Sequence, residues 1–142
     1  MFSKACEYAI KAVLYIAYSS KREERVGVKK IAKAIDSPEA FTGKIMQQLS
    51  KNKIVSSIKG PSGGFWIGEE QRKSVNIMEI VKVIDGDKLY TACGLGLTNC
   101  NDHHPCPVHE EYAKIKAELI KMHTETSIDD LSGKLDENAT LK

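Results

Sequence analysis

The chain has 142 residues, of which 42% are hydrophobic, 28% charged and 6% aromatic, and its formal net charge is +2. This length is typical of one domain, and the composition excludes collagen, coiled-coil rods and intrinsically disordered chains. Taken alone, the small net charge argues against nucleic-acid binding, because proteins that bind nucleic acids usually carry a clear basic excess.

The apolar runs and the four cysteines bear on the cellular compartment. The longest apolar run, residues 12–18, is much shorter than the roughly 20 residues of a membrane helix, so no membrane partner is expected. Glu7 and Lys11 would interrupt the apolar core of a signal peptide. We therefore predict a cytoplasmic protein, in which clustered cysteines more often bind metal or react than form disulfides.

Residues 1–75 are predicted to form a winged helix-turn-helix DNA-binding domain. Apolar residues recur at steps of three and four over residues 3–19, which indicates an amphipathic helix with Cys6 in the core. Two shorter helices, over residues 28–35 and 38–51, follow with a tight turn between them. Two helices joined in this way are typical of a helix-turn-helix.

The second of these short helices has a recognisable start. Ser37 is expected to cap it and Pro38 to occupy its first position, where the missing N–H costs nothing. Its apolar spacing predicts that Phe41, Ile45 and Leu49 face the core.

A β-hairpin is predicted directly after the helix-turn-helix. Residues 54–58 are rich in β-branched side chains, residues 60–64 contain three glycines and a proline, and residues 65–67 return as a second strand. This hairpin would be the wing, with Lys59 and Ser62 at its tip. The predicted fold class is therefore mainly α with a small β-hairpin wing.

Residues 76–135 are predicted to hold a cysteine-rich loop and dimerisation helices. Asn76 followed by Glu79 forms a capping-box pattern at the start of a helix. Residues 89–105 show no hydrophobic period and are too many for an ordinary connection. This segment is therefore either mobile or organised by a ligand.

A long C-terminal helix is predicted from residue 107 to about residue 123. Thr126 or Ser127 would cap one further short helix, and residues 136–142 are expected to be a flexible tail. The long helix carries apolar residues at alternating steps of four and three, a narrow seam suited to pairing with a second copy. This seam is formed by Val108, Tyr112, Ile115, Leu119 and Met122.

The net charge conceals a division along the chain. Residues 21–60 hold ten Lys or Arg against four Asp or Glu, which gives +6, and residues 1–20 give +1. Residues 61–142 hold nine against fourteen, which gives −5. Because the basic segment coincides with the predicted helix-turn-helix, double-stranded DNA becomes the expected partner.

The start of the second short helix would enter the major groove, and the wing would reach the adjacent minor groove. Glu39 could accept from a cytosine amine and Thr42 could touch a thymine methyl group, whereas Lys44 is better suited to a phosphate. The candidate DNA-binding residues are Ser37, Glu39, Thr42, Lys44, Gln47, Lys59 and Ser62.

Three cysteines form a candidate metal site within the unexplained loop. Cys93, Cys100 and Cys106 have the spacing C-x6-C-x5-C, and His109 follows three residues after the last. Thiolates select soft metals, and zinc or an iron-sulfur cluster would accept this donor set. The spacing does not decide between these two groups, and three unconnected thiols remain the alternative.

These motifs resemble a known family over residues 2–122. The resemblance rests on Ser3-Lys4-Ala5-Cys6-Glu7-Tyr8-Ala9, on residues 54–65, and on the three cysteines followed by Pro107-Val108-His109. The chain is similar to the winged-helix bacterial transcriptional regulators, the family that includes the iron-sulfur cluster regulator IscR and the nitric-oxide-sensing repressor NsrR. The resemblance implies a homodimer and a cluster of two or four irons held by the three cysteines. It also implies that DNA affinity depends on the cluster.

The same resemblance implies two candidates for a fourth cluster ligand. His109 occupies the place of the histidine that serves in some members, and Glu7 occupies the place of a carboxylate that the partner chain supplies in others. The first cysteine gap is one residue longer than in the IscR-like pattern, so the number of irons cannot be carried over. Pro38, Ala40 and Gly43 replace two serines and a glutamate that read bases, so the operator sequence cannot be carried over either.

The resulting hypothesis is a DNA-binding regulator whose operator affinity is switched by a cluster that senses redox state, nitric oxide or cluster supply. No catalytic residues and no small-molecule substrate are expected, because no acid-base pair, phosphate loop or flavin motif accompanies the cysteines. The alternatives are a regulator that uses zinc or a thiol switch, a regulator that acts through a protein partner, and a small iron-sulfur electron carrier. The last would leave the basic segment without a purpose.

Overall fold

The computed structural model describes residues 1–136 and 140–142. Within these ranges the chain is mainly helical, with one antiparallel hairpin, as predicted. The elements are α1 (Lys4–Ser20), α2 (Val28–Ile35), α3 (Glu39–Lys51), β1 (Ser56–Ile58), β2 (Gly64–Trp66), α4 (Glu69–Ser74), α5 (Ile77–Asp85), α6 (Lys88–Thr91), α7 (His109–Glu125) and α8 (Ile128–Ser132). Residues 137–139 of the predicted flexible tail lie outside the described residues, and Leu141 beyond them packs partly buried against the main core.

Helix α1 is the central element of the core. It packs against α2, α3, α5 and α8, and its inward side chains recur at steps of three and four, as the sequence predicts. Ser3 caps this helix by accepting a hydrogen bond from the backbone N–H of Cys6 at 3.1 Å. The buried residues of α1 are Cys6, Ala9, Ala12, Val13, Ile16, Ala17 and Ser19.

The start of α3 differs from the sequence expectation. The helix begins at Glu39 with Pro38 as the preceding cap residue, so Ser37 does not cap it. The Ser37 hydroxyl instead contacts the hydroxyl of Thr42, which donates to the carbonyl oxygen of Pro38 at 2.8 Å. The backbone N–H groups of the first turn therefore receive no side-chain cap.

The buried face of α3 is also rotated from its predicted position. Ile45 and Leu49 are buried as expected, but Phe41 is 38% exposed, so its predicted burial is wrong. Thr42 takes the inward position, because its hydroxyl is satisfied within the turn and its small side chain fits there. Phe41 instead packs edge-on against Tyr8 of α1, with ring centroids 5.8 Å apart.

The wing is a short hairpin in which β1 pairs with β2 and Ser57 lies opposite Phe65. Its turn requires glycine at two positions. A β-carbon at Gly63 would lie 2.1 Å from the carbonyl oxygen of Ile58, and Gly64 has a φ of +138°. Phe65 also exchanges backbone hydrogen bonds with Val26, which ties the wing to the segment before α2.

Two predicted caps in the C-terminal half are confirmed, and two short helices were not predicted. Asn76 and Glu79 form the expected capping box on α5, and Ser127, rather than Thr126, caps α8. Helices α4 and α6 have four to six residues and bury at most one side chain, so they leave no hydrophobic period in the sequence.

Asp129 on α8 joins three distant parts of the chain. Its Oδ1 accepts a hydrogen bond from Nε of Arg72 at 3.1 Å and lies 3.4 Å from Nζ of Lys21. Arg72 also donates to the carbonyl oxygen of Ile67 at 2.9 Å, which places its guanidinium between α8 and the end of the wing. These contacts attach α8 to the end of α1 and to the segment that follows the wing.

We expect Asp129→Ala to lower the free energy of unfolding by about 1–2 kcal/mol, because Arg72 would lose its only carboxylate partner among the described residues. Urea denaturation followed by circular dichroism measures this change. Lys73→Ala is the matched control, because its ion pair with Glu69 lies in solvent on α4 and should leave the midpoint unchanged. Equal midpoints for Asp129→Ala and the wild type would contradict this assignment.

Candidate metal site and nucleic-acid interface

The three loop cysteines converge in space between α6 and α7. The sulfur atoms of Cys93, Cys100 and Cys106 all lie within 4.8 Å of one another, and all three thiols are free. The sulfurs of Cys93 and Cys106 are 3.6 Å apart. The sequence spacing therefore corresponds to one cluster of donors, rather than to three unconnected thiols.

The chemistry of this donor set fits a soft metal. Thiolates bound to one tetrahedral ion at about 2.3 Å lie about 3.8 Å apart, close to the separation of Cys93 and Cys106. Three thiolates with one further donor also suit an iron-sulfur cluster. The residues present thus fit either group.

Backbone geometry favours the thiolate form at Cys93. The backbone N–H groups of Leu97 and Leu95 donate to its sulfur and lower the pKa of the Cys93 thiol to about 7. At Cys100 the backbone N–H of Cys106 approaches the sulfur at 3.4 Å, but burial and the neighbouring thiols outweigh this donor and raise the pKa of the Cys100 thiol. Metals bind the thiolate, so Cys93 is the cysteine whose backbone donors favour a ligand at neutral pH.

His109 lies beside the sulfurs, at the first position of α7. Its Nδ1 is 3.2 Å from the sulfur of Cys100, and its Nε2 is 3.1 Å from Oδ1 of Asp102. A carboxylate on the second ring nitrogen orients a histidine whose first nitrogen faces a metal. Sequence reasoning missed Asp102, although its place between Cys100 and Cys106 made it a candidate for this supporting role.

The second candidate for a fourth ligand lies elsewhere. Glu7 is on the first turn of α1, where its carboxylate is 3.2 Å from Nζ of Lys4. Its predicted role needs a second chain and stays a prediction. Cys6, one residue before it, is fully buried as predicted, and burial raises the pKa of its thiol to about 12. Cys6 is therefore a core residue.

The apolar seam of α7 is largely uncovered in the single chain. Tyr112, Ile115 and Met122 are exposed, whereas Val108 and Leu119 are half-buried. Leu119 packs against the smaller core cluster, which is formed by the buried residues Cys6, Ile77, Val81 and Tyr90. A row of exposed apolar side chains along one helix is what the predicted pairing with a second copy requires, and the pairing itself stays a prediction.

The C-terminal end of α7 is anchored by a buried histidine that sequence reasoning did not identify. Nδ1 of His123 lies 2.8 Å from the hydroxyl of Tyr90, and its ring stacks on Phe2 at 5.6 Å. Burial lowers the pKa of His123, so the ring is neutral at physiological pH. This contact fixes the C-terminal end of α7 against the start of the chain.

The predicted DNA-binding residues fall on α3, on the turn before it and on the wing. Gln47 and Lys59 line one cavity of about 400 Å³ between α3 and the wing, together with Lys51, which sequence reasoning had not included. Five of the predicted residues are exposed, and Ser37 is half-buried, so the set forms an accessible face. The exposed residues are Glu39, Lys44, Gln47, Lys59 and Ser62.

One predicted DNA contact is corrected. Thr42 is fully buried and its hydroxyl is bonded to the carbonyl oxygen of Pro38, so it cannot present its methyl group to a thymine. The reason is the rotation of α3, which turns Thr42 inward and Phe41 outward.

Among the described residues, no helix is both long enough and apolar enough to cross a membrane.

Comparisons with known proteins agree with this architecture. A protein of Aquifex aeolicus named as an HTH-type transcriptional regulator is 34% identical over 133 residues, which cover 92% of this chain and 90% of that protein. The HTH-type transcriptional regulator IscR of Photorhabdus laumondii is 25% identical over 124 residues, covering 87% of this chain and 74% of that protein.

Solved structures show the same fold. CymR, the global cysteine regulator of B. subtilis, superposes with a TM-score of 0.78 at 18% identity, covering 96% of this chain and 98% of that one. IscR of T. potens superposes with a TM-score of 0.70 at 16% identity, covering 97% and 93%. The family model described as an iron-dependent transcriptional regulator matches residues 2–134, and the chain belongs to this family, Rrf2, whose members are DNA-binding regulators of transcription rather than enzymes.

Proposed function

We propose that this protein is a cytoplasmic, homodimeric transcriptional regulator whose operator affinity is switched by an iron-sulfur cluster on Cys93, Cys100 and Cys106. The observation that carries the proposal is the convergence of the three sulfurs within 4.8 Å, on a chain whose family is described as iron-dependent. A bound cluster supplies a group that oxidants or nitric oxide can alter at concentrations that leave the rest of the protein intact.

The basic segment, residues 21–60, would supply the DNA affinity. Residues 21–60 carry a charge of +6, which attracts the phosphate backbone, while α3 and the wing present exposed polar residues to the grooves. Two copies would place their recognition helices in half-sites about 34 Å apart. A small change in the angle between the copies therefore changes whether both helices fit at once.

The loop that carries the three cysteines would set the angle between the two copies. Residues 92–108 connect α6 to α7, and α7 carries the exposed apolar seam. Ligated sulfurs would fix this loop against the first turns of α7, and released sulfurs would free it. The operator affinity would then follow the state of the loop, without any change within the winged helix.

We expect Cys93→Ala, Cys100→Ala and Cys106→Ala each to remove iron and acid-labile sulfide from protein purified without oxygen. Cys6→Ala is the matched control and should retain both, because Cys6 is in the core. The three loop variants should also lose the difference in operator affinity between loaded and apo protein, while their melting curves for the winged helix stay unchanged. Fluorescence anisotropy with operator DNA measures the affinities.

Equal operator affinity of loaded and apo wild-type protein, over a range of salt concentrations, would falsify the switch. Protein without visible absorption and without sulfide would exclude the cluster and leave zinc or free thiols at the site. Metal analysis of the same sample separates these two outcomes.

We propose His109 as the fourth ligand, supported by the position of its Nδ1 beside Cys100 and by the Asp102 carboxylate on its other nitrogen. Asp102→Ala should shorten the lifetime of the loaded site, because Nε2 of His109 loses the hydrogen-bond partner that orients its ring. His109→Ala should shift the visible spectrum and shorten the lifetime further. The rate of iron release to a chelator, followed by absorbance, measures these lifetimes.

Glu7→Gln is the control for this assignment, and it should leave both spectrum and lifetime unchanged. The opposite pattern, with Glu7→Gln altering the spectrum and His109→Ala silent, would assign the ligand to the carboxylate of a second chain.

We expect Lys59→Ala to weaken operator binding and to reduce the slope of log K against log salt by about one, because one phosphate contact is lost. Lys114→Ala removes the same charge from α7, where Lys114 pairs with Glu111, and should leave the slope unchanged. Anisotropy titrations at several salt concentrations give both slopes. An unchanged slope for Lys59→Ala would place the wing tip away from the DNA backbone.

A second candidate is a regulator that uses the same cysteines for zinc or as a thiol switch. The 3.6 Å between the sulfurs of Cys93 and Cys106 and the lowered pKa of Cys93 favour it, since a thiolate beside a second thiol can form a disulfide on oxidation. One of the related structures is described as an oxidised form of Staphylococcus aureus CymR. Reversible oxidation of colourless protein that changes operator affinity would support this candidate over the cluster.

A further inference from the structure

The turn after Cys93 rests on the aromatic ring of Tyr112. A β-carbon built at Gly94 would lie 2.6 Å from Cγ and Cδ1 of Tyr112 and 2.7 Å from Cδ2. Nearly equal distances to these three ring atoms place that point above the face of the ring, not beside its edge. Only a hydrogen atom fits there, so the backbone of the loop lies directly on the ring.

Space, and not backbone conformation, requires glycine at this position. Gly60, Gly64, Gly86 and Gly96 have positive φ angles, whereas Gly94 does not. An alanine at residue 94 would therefore be free of backbone strain and would only push against Tyr112. This makes Gly94→Ala a specific steric probe of the contact.

Helix α7 holds the loop along one face. Nδ1 of His109 faces the sulfur of Cys100, and Nζ of Lys116 donates to the carbonyl oxygen of Ala92. Tyr112 lies between them, three residues after His109 and four before Lys116. This spacing puts all three side chains on the same side of the helix.

Tyr112 also belongs to the exposed apolar seam of α7. It remains 41% exposed beneath the loop, and Ile115, which is 63% exposed, continues the seam. Of the five seam residues, Tyr112 alone lines the cavity of about 420 Å³ beside the cysteines. One ring thus touches the loop and contributes to the surface that a second copy would cover.

We propose that Tyr112 is the positioning residue that couples the cysteine loop to the dimer seam, an inference that rests on the proposed function. Because Gly94 follows Cys93 directly, ligation of the Cys93 sulfur would hold the loop backbone on the ring. Release of that sulfur frees Gly94 to move away, and the ring of Tyr112 then changes its position in the seam. The packing of two α7 helices changes with it.

The coupling is tested with Gly94→Ala and Tyr112→Leu, which disturb the contact from its two sides. Tyr112→Phe keeps the ring face and serves as the conservative variant. Gly68→Ala is the matched glycine control, because a β-carbon at Gly68 meets nothing within 4 Å. Three quantities are measured for each protein, loaded and apo: iron and sulfide content, operator affinity, and the dimer dissociation constant from analytical ultracentrifugation.

In Gly94→Ala and Tyr112→Leu we expect the ratio of loaded to apo operator affinity to fall to within twofold of one. The shift in dimer dissociation constant on loading should be lost as well. Each ratio compares the loaded and apo forms of the same variant, so a change in affinity common to both forms cancels. Tyr112→Phe and Gly68→Ala should keep the wild-type ratio.

The possible failures are distinguishable. If loaded and apo wild-type protein bind the operator with equal affinity, the proposed function itself is wrong. A wild-type switch that persists in both Gly94→Ala and Tyr112→Leu overturns only the coupling, as does a loss of switching that merely follows a loss of iron. Should Gly94→Ala fail to fold, Tyr112→Leu decides alone, because its side chain is partly in solvent and its replacement is tolerated by a helix.

Discussion

The candidate site depends on where α7 begins. The helix starts at His109, three residues after Cys106, and its first turns contact the loop that carries the other two cysteines. Because a helix is rigid, the imidazole of His109 and the ring of Tyr112 keep a fixed separation, and the loop must fit both. The position of the sulfurs and the orientation of the exposed seam are therefore consequences of one element.

The far end of the same helix is fixed to the body of the protein. His123 lies between Tyr90 and Phe2, and this group adjoins the smaller core cluster, which includes Cys6 of α1. Burial lowers the pKa of His123 and raises that of Tyr90 to about 12, so their hydrogen bond places no charge in the core at neutral pH. With one end of α7 anchored and the other in contact with the loop, the loop movement that we propose would act on α7 as a whole.

Sequence patterns predicted the features that depend on neighbouring residues in the chain. They were less successful for features that depend on packing between distant segments. The capping box of Asn76 and Glu79 and the bounds of α2 follow from short-range rules, and the structure has both. The predicted burial of Phe41 on α3 was wrong because Phe41 and Thr42 are adjacent, and the sequence alone allows either to face inward. Packing against α1 determines which of the two is buried. The Asp102 contact and the approach of Gly94 to Tyr112 join residues from separate segments, which periodicity cannot relate.

The division of charge explains why the proposed switch would have to act through geometry. Residues 21–60 carry +6 whatever the state of the cysteines, so their attraction for phosphate is constant, while the −5 of residues 61–142 gives that part of the chain no such attraction. The side chains of α7 that hold the loop are His109, Tyr112 and Lys116, and none of them belongs to the basic segment. In the proposed function, a change at the sulfurs would therefore reach the operator by altering how α7, and with it a second copy, is placed relative to α3 and the wing.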